Sequence, residues 1–188
     1  MSTKEKLIAA ARELIYRQGY NNTSIRDILL AANAGKGQLY YYFDSKKSIG
    51  LAVIKENIAI WQKELFEGIL APSSQPEKDF AEMLTWIFSF HQKQQHYYGC
   101  PMGNLIVELS LEDEDFRILL NDFMQQWLVA LANKIKVLRS IDLAAAKIAA
   151  QKVIAQIQGS ILLLKVTQDL TILESNLLEL KKHYIKAN

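Results

Sequence analysis

Residues 23–43, TSIRDILLAANAGKGQLYYYF, leave few options for how this chain begins to fold. Ile25, Ile28 and Leu29 fall at helical spacing, which predicts a helix with one apolar face. Ser24 or Thr23 can cap its start, and Asp27, three residues beyond Ser24, completes a variant of the capping box. Ala31 and Ala32 are small and let a second helix approach. Asn33-Ala34-Gly35 then interrupts the pattern, because Asn tolerates the left-handed backbone of such a stop and Gly tolerates it better. Leu39 and Phe43, four apart, anchor a second, shorter helix. That helix also carries Lys36, Gln38, Tyr40, Tyr41 and Tyr42, and the three tyrosines cannot all share the buried face. At least one points outward. Phenolic hydroxyls and cations on an exposed helix suit phosphates and base edges, so the layout reads as a helix-turn-helix that lies against DNA.

Composition agrees in distribution more than in total. Net charge over the 188 residues is only +2. Residues 1–47 hold eight Lys/Arg against four Asp/Glu, net +4, and the remainder fourteen against sixteen, net −2. A basic first third on a mildly acidic body is the footprint of a local nucleic-acid contact. Cys100 is the single cysteine, so no intrachain disulfide can form, which suits a reducing cytoplasm. Charges at Lys4, Glu5, Lys6, Arg12 and Glu13 argue against a signal peptide. The longest conspicuous apolar run, 153–164, is too short for a membrane span, which takes about 18 residues or more. The expectation is a cytoplasmic protein without membrane association.

With three prolines, eight glycines and a 3.6-residue period nearly throughout, the fold class is all-α. Helices are expected over about 4–18, from a Ser45 cap to 70, from 77 to 95, over 102–111, from the acidic cluster 112–115 to 138, from an Asp142 cap to 166, and from a Thr171 cap to 185. The segment 71–76 is the clearest break. The domains expected are 1–48, a three-helix helix-turn-helix domain for DNA, and 49–188, a helical domain for ligand binding and dimerisation. The last two helices are apolar on more than one face, and Gly159 and Ser160 permit close approach, so they form either the core of one protomer or the interface with a second copy.

Chemistry in the C-terminal body points to binding. Trp86, Phe90, Tyr98, Phe123 and Trp127 supply aromatic surface. Asn104, Glu108 and Gln156 supply sparse polar groups beside Cys100, the mixture a small-molecule cavity needs. His91, His96 and His183 lack metal-ligand spacing, and no phosphate loop, nucleophile elbow or paired catalytic carboxylates occur. Neither an enzyme nor a bound cofactor or metal is expected.

The N-terminal stretch resembles the DNA-binding domain of TetR-like (tetracycline-repressor-like) transcriptional regulators. The matching residues are Ala11, Leu14, Gly19, Tyr20, Thr23-Ser24, Ile28, Ala32, Lys36-Gly37, Leu39-Tyr40, Tyr42-Phe43 and Ser45-Lys46. The resemblance runs ungapped over about residues 6–53, with Gly35 standing where the family usually caps its recognition helix with Ser or Thr. Residues 99–110, GCPMGNLIVELS, and 154–159, IAQIQG, are similar to one branch, the YxaF/LmrA-like and AcuR/NemR-like group. The resemblance implies a homodimer joined through its last two helices, a double-stranded DNA operator of palindromic form and a small-molecule effector of unknown identity. It implies a repressor released when effector binding shifts helix 4 against the body. Some members of that branch use the matching cysteine to sense electrophiles or oxidants, so thiol sensing at Cys100 is the alternative. A helical ligand-binding protein that does not read DNA is the other. On DNA, Arg26, Gln38 and Tyr40 are expected to carry sequence preference, and Ser24, Lys36, Tyr41, Tyr42 and Lys46 to hold phosphates.

Overall fold

Helical periodicity is realised along nearly the whole chain. The computed structural model describes residues 1–185, so the last three positions of the expected 49–188 domain lie outside them. In order, the helices are α1 (Thr3–Gln18), α2 (Ile25–Ala32), α3 (Lys36–Tyr42), α4 (Lys46–Trp61), α5 (Pro76–Gln92), α6 (Pro101–Leu109), α7 (Glu114–Arg139), α8 (Leu143–Thr167) and α9 (Leu170–Tyr184). No strand occurs among the described residues, and no helix among them is long and apolar enough to cross a membrane.

Two compact units form, and they do not follow a boundary at residue 48. The first joins Met1–Ala59 to Pro101–Asn121; the second joins Ile60–Cys100 to the chain from Asp122 onward. In the first, α1 packs on α2 and α3. Leu7, Ala11 and Ile15 of α1 meet an interior that includes Ile28, Ala32, Leu39, Phe43, Ile49 and Val53, all buried. Burying a Leu or Ile side chain is worth about 1.5–3 kcal/mol, so this small apolar set fixes the short helices, which would be marginal alone. In the second unit, α9 packs on both α5 and α8. Phe80, Met83, Ile87, Ile154, Ile157, Ile161, Leu164, Leu173, Leu177 and Leu180 are buried there.

Three expected boundaries change. The long helix from Ser45 does not run unbroken to 70: regular α geometry stops at Trp61, and Gln62–Glu67 widens into a π-helical stretch. Its end is marked by the Leu70 amide donating to the Leu65 carbonyl at 2.7 Å, one residue further back than an α-helix allows. The helix expected to reach 95 ends at Gln92. Thr171 does not cap the last helix. Asp169 does, its Oδ1 accepting the Thr171 amide at 3.0 Å and the Thr171 hydroxyl at 2.7 Å. A carboxylate two residues earlier takes the cap because it accepts both donors at once.

Candidate nucleic-acid interface

The start of α2 is built as its sequence suggests. Ser24 is the N-cap: its Oγ accepts the Asp27 amide at 3.1 Å, while Asp27 Oδ2 accepts the Ser24 amide at 2.9 Å and hydroxyl at 2.6 Å. These hydrogen bonds hold the Asp27 carboxyl below the usual range. Thr23, the other cap candidate, is fully buried and donates its hydroxyl to the Gly19 carbonyl at 2.7 Å. Asn33 ends α2 in the left-handed region, φ 48°. Gly35 does not use its conformational freedom: it is the N-cap of α3 in ordinary extended backbone, φ −83°. Of the two small residues, Ala32 is buried and Ala31 exposed, so Ala32 alone serves close packing.

α3 presents a wide outer face. Leu39 is fully buried, and Tyr40, Tyr41 and Tyr42 are all exposed, Tyr41 by 80%. Tyr41 and Tyr42 meet edge to face at 4.8 Å. Lys36 Nζ lies 5.9 Å from the Tyr40 ring centroid. Arg26 and Lys36 are exposed. Gln38 is exposed as well, with its Oε1 accepting the Gly35 amide at 2.9 Å; this is the reciprocal half of a capping box, and the half an N-cap hydroxyl would supply is missing at Gly35. Lys46, at the start of α4, donates to the Asn21 carbonyl at 3.2 Å and lies over the Tyr20 ring at 4.5 Å. Ser45 and Ser48 exchange hydrogen bonds there, the Ser48 amide to Ser45 Oγ at 3.1 Å and the Ser45 amide to Ser48 Oγ at 3.2 Å.

The residues expected around an effector divide between the units. Asn104 and Glu108 belong to the first; Trp86, Phe90, Tyr98, Cys100, Phe123, Trp127 and Gln156 belong to the second. Glu108 is engaged, accepting the amides of Tyr20 at 2.8 Å and Asn21 at 2.6 Å. In the second unit the aromatic residues gather around Trp61, which sequence reasoning did not single out. Its ring meets Phe123 at 4.9 Å, Trp127 at 5.0 Å and Trp86 at 5.1 Å, each edge to face. Its signal was present: an aromatic residue late in α4, near the widening of the helix. Trp86 donates from Nε1 to Glu64 at 3.1 Å. Trp127 is buried, and its Nε1 has no hydrogen-bond partner among the described residues.

Phe90 and Gln156 turn outward. Gln158, two positions on, reaches inward instead, its amide donating to Cys100 Sγ at 3.5 Å. Cys100 is buried and immediately precedes α6. Tyr98 is half-buried. His91 is buried, donates from Nδ1 to the Ile87 carbonyl at 2.9 Å, and is pushed below the ordinary histidine pKa by that burial. A neutral imidazole offers Cys100 no positive charge.

Comparison with known proteins bears on both units. Residues 7–53 match the family described as bacterial regulatory proteins, tetR family. Residues 76–176 match the C-terminal domain of LmrA/YxaF-like transcriptional regulators. An HTH-type transcriptional regulator in the lacX 3′ region of Lactococcus lactis subsp. lactis is 50% identical over 186 residues, covering 99% of this chain and 95% of that protein. The HTH-type transcriptional regulator LmrA of Bacillus subtilis is 28% identical, covering 86% and 85%. A crystal structure of a TetR transcriptional regulator from Legionella pneumophila superposes with a TM-score of 0.86 at 22% identity, covering 98% of each chain. With residues 7–53 and 76–176 matched to family models and half its residues shared with a regulator covered over 95% of its length, the chain belongs to the TetR family of helix-turn-helix, DNA-binding transcriptional regulators, which are not enzymes.

Proposed function

We propose that the protein is a ligand-responsive repressor that binds a palindromic operator as a homodimer and leaves it when a small molecule enters its C-terminal domain. The observation that carries the reading is the outer face of α3, where Lys36, Tyr40, Tyr41 and Tyr42 stand exposed beside Arg26 and Lys46. In this reading Arg26, Gln38 and Tyr40 reach base edges, and Lys36, Tyr41, Tyr42 and Lys46 hold phosphates. Ser24 contributes to phosphate binding through the α2 terminus it caps, since its hydroxyl already donates to Asp27.

Dimerisation follows from the need for two half-sites about one helical turn apart. It is supported by an exposed stripe on α8: Ile148, Ala155, Gly159, Leu162 and Val166 recur at helical spacing on its solvent side. A small-residue centre flanked by aliphatic side chains suits self-association about a two-fold axis.

Effector binding is supported by the aromatic cluster around Trp61. The unpartnered indole N–H of Trp127 is a buried donor that a ligand acceptor would satisfy. Binding there lowers operator affinity only if the DNA-bound and released states differ in their affinity for the ligand. A titration by fluorescence anisotropy tests the whole reading. Labelled DNA from upstream of the gene should bind two chains per site, tighter than random DNA by about a thousandfold or more. Equal affinity for both would overturn it.

A second reading, thiol sensing, is supported by the Gln158 amide on Cys100 Sγ. Cys100→Ser separates the two. Under ligand binding the variant still leaves DNA with its inducer; under thiol sensing it stays on DNA whatever oxidant or electrophile is added.

A further inference from the structure

Glu108 of α6 is drawn into the first unit by a specific clamp. Its two carboxylate oxygens accept successive backbone amides, Tyr20 at 2.8 Å and Asn21 at 2.6 Å, from the turn that follows α1. Charge-assisted bonds to backbone N–H groups are among the stronger hydrogen bonds a protein makes. The approach depends on Gly19, which has φ 87° and no side chain; a Cβ there would stand 3.1 Å and 3.2 Å from the two carboxylate oxygens.

The turn so held is the seat of Lys46. The Asn21 carbonyl accepts Lys46 Nζ at 3.2 Å, and the Tyr20 ring lies beneath the same ammonium at 4.5 Å. The ring is fixed from its other sides. Phe116 meets it edge to face at 5.4 Å, and Gly50 approaches so closely that a Cβ would stand 2.6 Å from Tyr20 Cε2. Downstream the turn is locked by the Thr23 amide on the Tyr20 carbonyl at 3.1 Å, and by Gln18 and Asn22 exchanging side-chain-to-carbonyl bonds. Beside it, Lys47 donates to Asp113 and Asp115, each at 2.7 Å, tying the start of α4 to the segment after α6. An ammonium has three donors, so Lys46 keeps others for an outside acceptor.

We infer that Glu108 is a positioning residue for DNA binding: its carboxylate pre-organises the turn that holds Lys46 ready for a DNA phosphate. The inference rests on the reading of Lys46 as a phosphate contact. Through that turn it also gives α6 a hold on a DNA-contacting cation, so any event that withdraws Glu108 from Tyr20 and Asn21 frees Lys46. A freed lysine must be ordered again on binding, which weakens affinity about three- to tenfold and does so on every sequence alike, because a phosphate carries no sequence information.

The test is a double-mutant cycle on the full chain, with DNA affinity measured by anisotropy on operator and random duplexes at several salt concentrations. Lys46→Ala alone should weaken both duplexes and reduce the salt slope by about 1. Glu108→Ala should weaken both about three- to tenfold in the wild-type background, keep that effect beside Gln38→Ala, and lose it beside Lys46→Ala. Glu108→Gln keeps the volume and one acceptor, and should show the same pattern with a smaller loss; it carries the test if the alanine variant fails to fold. An undiminished effect of the Glu108 substitution in the Lys46→Ala background overturns the inference, as does no effect in the wild-type background. An unchanged salt slope in Lys46→Ala overturns it too, and locates the failure in the reading of Lys46 rather than in the clamp.

Discussion

Single residues carry the proposed DNA face and the turn that holds Lys46. Gly19 combines φ 87° and ψ 161°, a region open to glycine alone, with a carboxylate against its α-carbon. Gly19→Ala should therefore destabilise the chain by about 1–3 kcal/mol, measured by urea unfolding. An unchanged midpoint would mean that the turn relaxes without strain. Gln38 is a different case. Its Oε1 holds the Gly35 amide, so to read a base it must either leave that bond or offer its Nε2 while keeping it. Gln38→Ala should cost roughly 1–3 kcal/mol on the operator and little on random duplex; equal losses on both would remove it from base readout. The sequence announces these residues unevenly. Ser24 and Asp27 are three apart, so their pairing is a local pattern anyone can read. Glu108 meets Tyr20 across 88 positions, and nothing within a few residues of either one signals it. Its place in a motif suggested a ligand contact because a lone carboxylate on a short helix has no other visible partner.

At the scale of elements, caps and pairs decide where helices stop. The segment 71–76 was legible as a break from its two prolines and serines, but what secures it was not. Lys134 of α7, only 4% exposed as a side chain, donates to the Ala71 carbonyl and to Asp79, both at 2.6 Å, and the Ser73 hydroxyl donates to the same carboxylate. A buried ion pair is weak evidence of net stabilisation, yet removing one partner strands the other. Lys134→Met should cost about 3–5 kcal/mol at neutral pH, read from denaturant unfolding. Burial alone would push the Asp79 carboxyl up, but Lys134 and Ser73 outweigh it and hold the group below its usual range. A depressed pKa means stability that is complete above the unfolded value of about 3.9 and lost as pH falls through the lower folded one. The gap between wild type and Lys134→Met should accordingly close in strong acid; a gap constant from neutrality to acid would show that the pair does not titrate with folding. The same scale explains two misplacements. Asp169 and Thr171 are both cap-competent, and only the geometry of the preceding residues chooses between them. On α8, apolar residues occupy so much of the surface that the helix has no unique inward face, and sequence spacing could not say whether Gln156 or Gln158 turns inward.

For the whole molecule, the proposed function requires that two chains act together, and the fold separates two kinds of apolar residue that look alike in sequence. Ile161 and Leu177 are buried within one chain, at 4% and 5% exposure, so a charge at either position would unfold the protomer and say nothing of its assembly. Leu162, next to Ile161 in sequence, and Val166, one turn beyond it, are 67% and 76% exposed, in line with Ile148, Ala155 and Gly159. An aliphatic stripe left in solvent on a long helix marks a contact surface more often than chance scatter does. The same reasoning sets Leu162→Glu apart as the variant of choice. It places a charge where a partner's matching residue would meet it across a two-fold axis, so each dimer would bring two like charges together. The expected result is a folded monomer with unchanged helical content by circular dichroism and with a sedimentation coefficient of one chain at micromolar concentration. Such a monomer offers one recognition helix to one half-site. It should bind operator and random DNA with nearly equal, weak affinity, because the second half-site no longer contributes. A variant that stays dimeric would move the interface off this stripe. A variant that is monomeric yet still prefers its operator would show that one helix-turn-helix suffices, and would remove the need for a palindrome.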